Sequence, residues 1–202
     1  MRKASAILYR FRGYILALFA IALIACPAAP FPQGKTISEF IPYIAALFMY
    51  ACGIALRVRA RQYIGQHTRG NTHTADELVT DGPYAQCRHP LYTSNLFIAL
   101  GAASFHLGTS QLFVLFAPAL LLFEFALARA EDRFLEEKFG DTWRAWALRT
   151  PMVPSRVAIF TFKSGSAPRR TFLQAFKADA STWFWFVFFN LIIVLLKLHG
   201  LR

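Results

Sequence analysis

The sequence predicts an all-α polytopic membrane protein with about five transmembrane helices. Three observations carry that prediction. Hydrophobic residues make up 56% of the 202-residue chain against 16% charged, and mean hydropathy is +0.39. Several uncharged or nearly uncharged runs reach the ~17–25 residues that a bilayer crossing requires. Basic residues gather in alternate segments between those runs. Disordered, collagen-like and coiled-coil classes are excluded, because each needs a polar or periodic composition.

The first run, residues 14–31, carries no charge, and the second covers 40–56. The third covers 91–107 and the fourth 112–128, joined only by Gly108-Thr109-Ser110-Gln111 as a tight hairpin. The fifth, 183–198, is aromatic at its start and short for a span. Between the fourth and fifth, residues 154–180 contain Gly165, Pro168 and several Ser and Thr, and predict a loop with a short interfacial helix over 171–177. The whole chain, 1–202, reads as one integral-membrane domain.

Nineteen of the 22 Lys and Arg fall before the first run, between the second and third, or between the fourth and fifth. Lys35, Lys197 and Arg202 remain for the other side. The expectation is a multi-pass protein with its N-terminus inside and its C-terminus outside, in the inner membrane of a bacterium or the endoplasmic reticulum of a eukaryote. The net charge of +11 is then topological. It predicts contact with anionic lipid head groups and no nucleic-acid partner.

Cys26, Cys52 and Cys87 show no CxxC spacing, and reduced thiols are expected. Leu23-Ile24-Ala25-Cys26 resembles a lipoprotein cleavage box, but an uncut first span explains the same residues. No two glycines are two positions apart, so the Rossmann fingerprint is absent. Gly65 and Gly70 have P-loop spacing but are followed by Asn71-Thr72 in place of Lys-Ser/Thr. No metal site is expected.

Polar chemistry concentrates around the hairpin. His89 lies 20 residues before Thr109 and Glu131 lies 22 after it, so antiparallel helices of equal rise bring the two to one depth. Arg88-His89-Pro90-Leu91-Tyr92 and Glu131-Asp132 should therefore converge at the inner membrane surface, with Pro90 in the first turn of its helix. Simple anchoring at a membrane edge would use the same residue types. Glu124 lies inside the fourth run, seven residues before Glu131 and on the same helical face. A carboxylate there costs ~2.5–3.5 kcal/mol on insertion scales, so it is paired with a loop arginine or used. Thr93, Ser94 and Asn95 put a polar patch at matching depth, which interhelical hydrogen bonds would also explain. Trp143, Trp146, Pro151 and Pro154 would fold aromatic residues back over the cluster, or form an interfacial belt.

These residues carry a resemblance. Leu78-Val79-Thr80-Asp81-Gly82-Pro83-Tyr84, then Arg88-His89-Pro90-Leu91-Tyr92 and Gly101, resemble the membrane methyltransferases of the isoprenylcysteine carboxyl methyltransferase and phospholipid methyltransferase group. Glu131-Asp132, Phe139-Gly140, Trp143, Trp146 and Pro154 match the group's second signature, and together the motifs cover about residues 65–155. The resemblance implies S-adenosylmethionine bound in an inward-facing pocket. Carried over by position, its contacts would be Glu77, Leu78, Val79, Tyr84, His89, Pro90, Leu91, Tyr92, Glu131 and Asp132. Catalytic roles are expected for Arg88, Glu124 and Arg129.

The departures concern the methyl acceptor. Asp132 stands where the group commonly has Glu, Ser94 where it has Gly, and Asp76 where prenylcysteine members have His. Their substrate-binding arginine is Leu127 here, with Arg129 the nearest substitute. The expected activity is methyl transfer to a lipid or hydrophobic small molecule drawn from the bilayer, with a carboxylate or amine as acceptor. A nicotinamide-dependent membrane reductase and a non-enzymatic transporter subunit or assembly protein are the alternatives.

Overall fold

A computed structural model describes residues 3–64, 76–154 and 167–200, with side chains from Ile7 onward. Gly65, Gly70 and residues 155–166 of the segment expected over 154–180 lie outside the described residues. All regular structure among the described residues is helical: α1 (Lys3–Ala25), α2 (Ile41–Tyr63), α3 (Pro90–Leu107), α4 (Gln111–Phe139), α5 (Asp141–Ala147), α6 (Phe172–Lys177) and α7 (Ala180–His199). Four stretches among them are long and apolar enough to cross a bilayer: Ile7–Ala25, Ile37–Tyr63, Gln111–Phe139 and Ala180–His199.

The expected third span is the exception. α3 has 18 residues, and Thr93, Ser94, Asn95, Ser104 and His106 dilute its apolar character. Those side chains point into protein. Ser104 donates to the Pro42 carbonyl at 2.9 Å, and His106 Nε2 lies 3.0 Å from the Cys26 carbonyl. α3 is thus enclosed by its neighbours, with Gly101 allowing the Tyr50 ring of α2 to press against its backbone, where a Cβ would sit 2.8 Å from the ring.

Three boundaries differ from the sequence expectation, each for a local reason. α1 ends at Ala25, because Pro27 and Pro30 follow, and it extends back through Arg12 and Arg10. α2 runs on past Leu56 to Tyr63, so Arg57 and Arg61 are helical and buried rather than loop residues. α4 continues through Glu131 and Asp132 to Phe139. Its 29 residues are ~43 Å long at 1.5 Å per residue, more than a ~30 Å hydrocarbon core, so about two or three turns project beyond it. Ser110 caps its start, accepting from the Leu112 N–H at 3.2 Å.

The short helix expected over 171–177 is α6. Thr171 and Gln174 form a reciprocal capping box at its start. Phe172, Leu173 and Phe176 of this helix are exposed.

α7 is fastened along its length. At one end Lys197 Nζ donates to the Ala29 carbonyl and to Tyr43 Oη (3.1 Å), with Phe31, Tyr43 and Phe105 rings centred 5.2–5.4 Å from the ammonium. Midway, Tyr50 donates to Asn190 Oδ1 at 2.6 Å. At the other end Asp179, immediately before α7, meets two arginines of α2.

Candidate functional site

The expected convergence of the two polar clusters is present. His89 Nε2 lies 2.8 Å from Asp132 Oδ1, and Arg88 Nη2 donates to Asp132 Oδ2 at 3.0 Å. Pro90 occupies the first turn of α3 as expected. Arg88 also donates Nη1 to the carbonyls of Ala147 and Thr150, both at 3.0 Å, and its backbone N–H to the Pro151 carbonyl at 2.9 Å. One arginine thereby ties the end of α4, α5 and the Pro151 turn to the start of α3.

α5 folds back as its tryptophans suggested. Trp143 and Trp146 are buried, and Trp146 Nε1 donates to the Tyr84 carbonyl at 3.2 Å. Tyr84 follows Gly82, whose φ of +57 favours glycine, and a Cβ there would sit 2.5 Å from the Tyr63 ring. The tight turn presses Tyr84 into a cluster with Tyr63, Ile64, Leu135, Trp143 and Trp146.

Around these residues lies a cavity of about 400 Å³, within the ~300–1,000 Å³ usual for ligand pockets. Nine of the ten residues carried over for cofactor contact line it: Glu77, Leu78, Val79, Tyr84, His89, Pro90, Leu91, Tyr92 and Glu131. Asp132 does not. It is buried behind the wall, where it holds Arg88 and His89. Glu77 is ion-paired with Arg169, just before α6.

The three residues expected to be catalytic part company. Arg88 lines the cavity, but its terminal nitrogens are spent on Asp132 and two carbonyls. Arg129 is exposed on the outside of α4 with its guanidinium 5.8 Å from the Phe125 ring centre, away from the cavity. Glu124 is 4% exposed and stands behind the cavity wall, with the Asn95 side chain as its hydrogen-bonding neighbour and the Arg57 charge nearby. The loop-arginine pairing considered for it is absent.

Several wall residues were not singled out from the sequence. Tyr9 and Arg12 come from α1, Arg57 and Arg61 from α2, and Asp179, Ser181 and Thr182 from the start of α7. Fully buried Asp179 receives Arg57 Nε at 2.8 Å and Arg61 Nε at 3.0 Å. Arg57 further donates to Asn95 Oδ1 (2.5 Å) and Thr182 Oγ1 (3.1 Å). A signal existed: Arg57 and Arg61 are four apart, and Asp179 is the sole acid in residues 142–202.

Two groups on the loop before α3 are shifted by burial. The Tyr84 phenol is held above its ordinary value, so it stays a neutral donor, and the Cys87 thiol is pushed up to about 11. Tyr84 Oη and Arg88 Nε are buried in this region without hydrogen-bond partners. Among the described residues no group of three or more His, Cys, Asp or Glu gathers to hold a metal ion.

Comparison with known proteins adds a family. The model of the phospholipid methyltransferase family matches residues 41–142, which takes in α2 and stops short of Trp143 and Pro154. The cobalt-zinc-cadmium resistance protein CzcN of Cupriavidus metallidurans is 29% identical over 143 residues, covering 70% of this chain and 62% of its own. The nickel-cobalt-cadmium resistance protein NccN of Alcaligenes xylosoxydans xylosoxydans is 32% identical over 142 residues, covering 69% and 63%. The chain thus spans less than two thirds of the length of these curated relatives. No solved structure matches it.

Proposed function

The chain belongs to the phospholipid methyltransferase family, and from that premise we propose that it transfers a methyl group from S-adenosylmethionine to a lipid or hydrophobic small molecule. The observation that carries the reading is the cavity: residues assigned to the cofactor by motif position alone fold into one wall.

The residues present suit such a cofactor. A sulfonium and an ammonium need an acid and aromatic faces, and Glu131 lines the cavity with Tyr84, Tyr92 and Trp146. An adenosine needs hydrogen-bond partners, and Tyr84 Oη and Arg88 Nε are buried there with none. The bound cofactor supplies an activated methyl; the protein orients the acceptor and keeps water out. Asp132 fixes His89 and Arg88, Arg88 fixes α5, and Trp146 closes the wall above Tyr84.

The wall from outside the family match, supplied by α1 and α7, is the side we assign to the acceptor. The relatives' names refer to metal resistance; in this reading such a role here is exercised through the methylated membrane product.

Isothermal titration of the detergent-solubilised protein with S-adenosylmethionine and with NADPH tests the proposal. Saturable binding of the former alone is expected, and Glu131→Gln should weaken it by ~1.5–3 kcal/mol, the worth of a hydrogen bond to a charged group, without unfolding the protein. Binding of NADPH alone would make the protein a nicotinamide-dependent reductase. Binding of neither would favour a transport or assembly role.

A further inference from the structure

α6 is far too short to cross a bilayer, yet Phe172, Leu173 and Phe176 are exposed along it, while Ala175 is fully buried where the helix packs on α2. The Phe172 ring stacks on Phe176 with centroids 6.3 Å apart, and Phe176 stacks on Trp183 at 4.9 Å. Trp183 Nε1 also donates to the Phe176 carbonyl at 2.8 Å. The apolar face thus runs without a break into α7, whose Phe184, Trp185 and Phe188 are exposed on a stretch long enough to span a bilayer. Only Ala178 and Asp179 separate the two helices. α6 therefore lies at the level where α7 enters the membrane, the level that tryptophan favours. The charge around it is one-sided. Residues 154–180 carry Arg156, Lys163, Arg169, Arg170 and Lys177 against Asp179 alone, and Asp179 is taken up by Arg57 and Arg61. Aromatic residues and leucine on one face with basic residues beside them are the composition of a helix that lies in a head-group layer.

The chain just before α6 reaches the cavity. Arg169 and Arg170 donate their backbone N–H groups to the Gln62 carbonyl at 2.9 and 3.1 Å, and Gln62 Nε2 donates to the Arg170 carbonyl at 3.3 Å. Gln62 belongs to the last turn of α2, where carbonyls have no partner within the helix. The Arg169 guanidinium meanwhile pairs with Glu77, and Glu77, Leu78 and Val79 form one side of the cavity. Both members of that ion pair are about half exposed, so the pair is weak by itself and depends on what holds Arg169 in place. We propose that α6 docks on a lipid surface carrying anionic head groups, and that this seating holds Arg169 on Glu77 and steadies the Glu77–Val79 wall. Phe172, Leu173 and Phe176 enter the head-group layer, and Arg170 and Lys177 meet its phosphates. Lipid composition thereby becomes an input to the pocket. The docking stands apart from the methyl-transfer reading; only its meaning for cofactor binding rests on that reading.

The full chain is tested in nanodiscs of phosphatidylcholine alone and of phosphatidylcholine with one third phosphatidylglycerol. A nitroxide attached through Leu173→Cys reports depth, in a background of Cys26→Ala and Cys52→Ala with Cys87 left buried. Its accessibility to oxygen relative to a neutral nickel chelate should rise at least threefold in the anionic discs. Hydrogen exchange of residues 77–79 should slow at least threefold there. Arg170→Glu combined with Lys177→Glu should abolish both changes, and high salt should weaken them. Arg169→Gln should dock as the parent protein does yet lose the slowed exchange. If the charge-reversed protein does not fold, Phe172→Ser with Phe176→Ser replaces it, with the same loss expected. An accessibility ratio equal in the two lipids, a rise that survives the substitutions, or exchange at 77–79 indifferent to docking overturns the proposal. Shielding of the Leu173→Cys probe that is equal in micelles and grows with protein concentration makes the face a contact between copies, and overturns it too. Failure to bind S-adenosylmethionine removes the methyl-transfer reading and leaves these readouts standing.

Discussion

Asp132 shows how one methylene changes a residue's task. The resemblance gave this position to the cofactor, yet its short carboxylate reaches only Arg88 and His89. Cys87 sits beside them, donating to the Met152 carbonyl at 3.2 Å, and its ionisation predicts a measurable slope. The unfolded thiol ionises at its ordinary value, ~8.5, whereas the buried one holds its proton to about 11. The folded state therefore binds more protons across that window, and stability should fall as pH rises through it, by roughly 2–3 kcal/mol at the top. Below the ordinary value both states are protonated and the residue contributes nothing. Thermal unfolding between pH 8 and 11 should show the decline, and Cys87→Ala should flatten its lower part. Tyr84, also raised, adds its own slope only above about 10.

Among the helices, the most was legible where motif and geometry coincided. The hairpin of α3 and α4 followed from counting residues on either side of Thr109, and α5 followed from its tryptophans. What escaped were the ends of α1, α2 and α4. Charged residues mark the edge of an apolar run, but they do not end a helix. Arg10, Arg12, Arg57, Arg61 and Glu131 all lie within helices that continue past the apolar stretch. That is why the Arg57–Asp179–Arg61 cluster is not legible in the sequence: Arg57 and Arg61 follow an apolar run as loop charges would, and their partner is more than a hundred residues away. Asp179 has zero exposure, so removing it leaves two buried guanidinium groups without their counter-ion. Asp179→Asn should cost ~3–5 kcal/mol, read by chemical denaturation in detergent. A cost below ~1 kcal/mol would mean that the Arg57–Asp179–Arg61 cluster adds no net stability.

Across the whole molecule, polarity is divided between two ends. The cavity, its arginines and its acids occupy one; Lys197, His106 and the loop around Ala29 occupy the other. With the basic segments inside, cysteines at Leu148 and Ile37, which are 88% and 85% exposed, should be labelled by impermeant maleimide from opposite sides. The background for this experiment carries Cys26→Ala and Cys52→Ala, and Cys87 is left in its buried position. Labelling of both positions from the same side would overturn the arrangement.

The three fastenings of α7 have a consequence for chain continuity. Its position is fixed at Asp179, Asn190 and Lys197 by side chains of α2, together with the Ala29 carbonyl, so its address is written in those contacts rather than in the peptide that leads to it. The protein should therefore tolerate being made in two pieces. Residues 1–154 and 167–202, expressed from separate messages, should co-purify and rebuild the cavity, whereas a second piece carrying both Asp179→Ala and Lys197→Ala should not be retained.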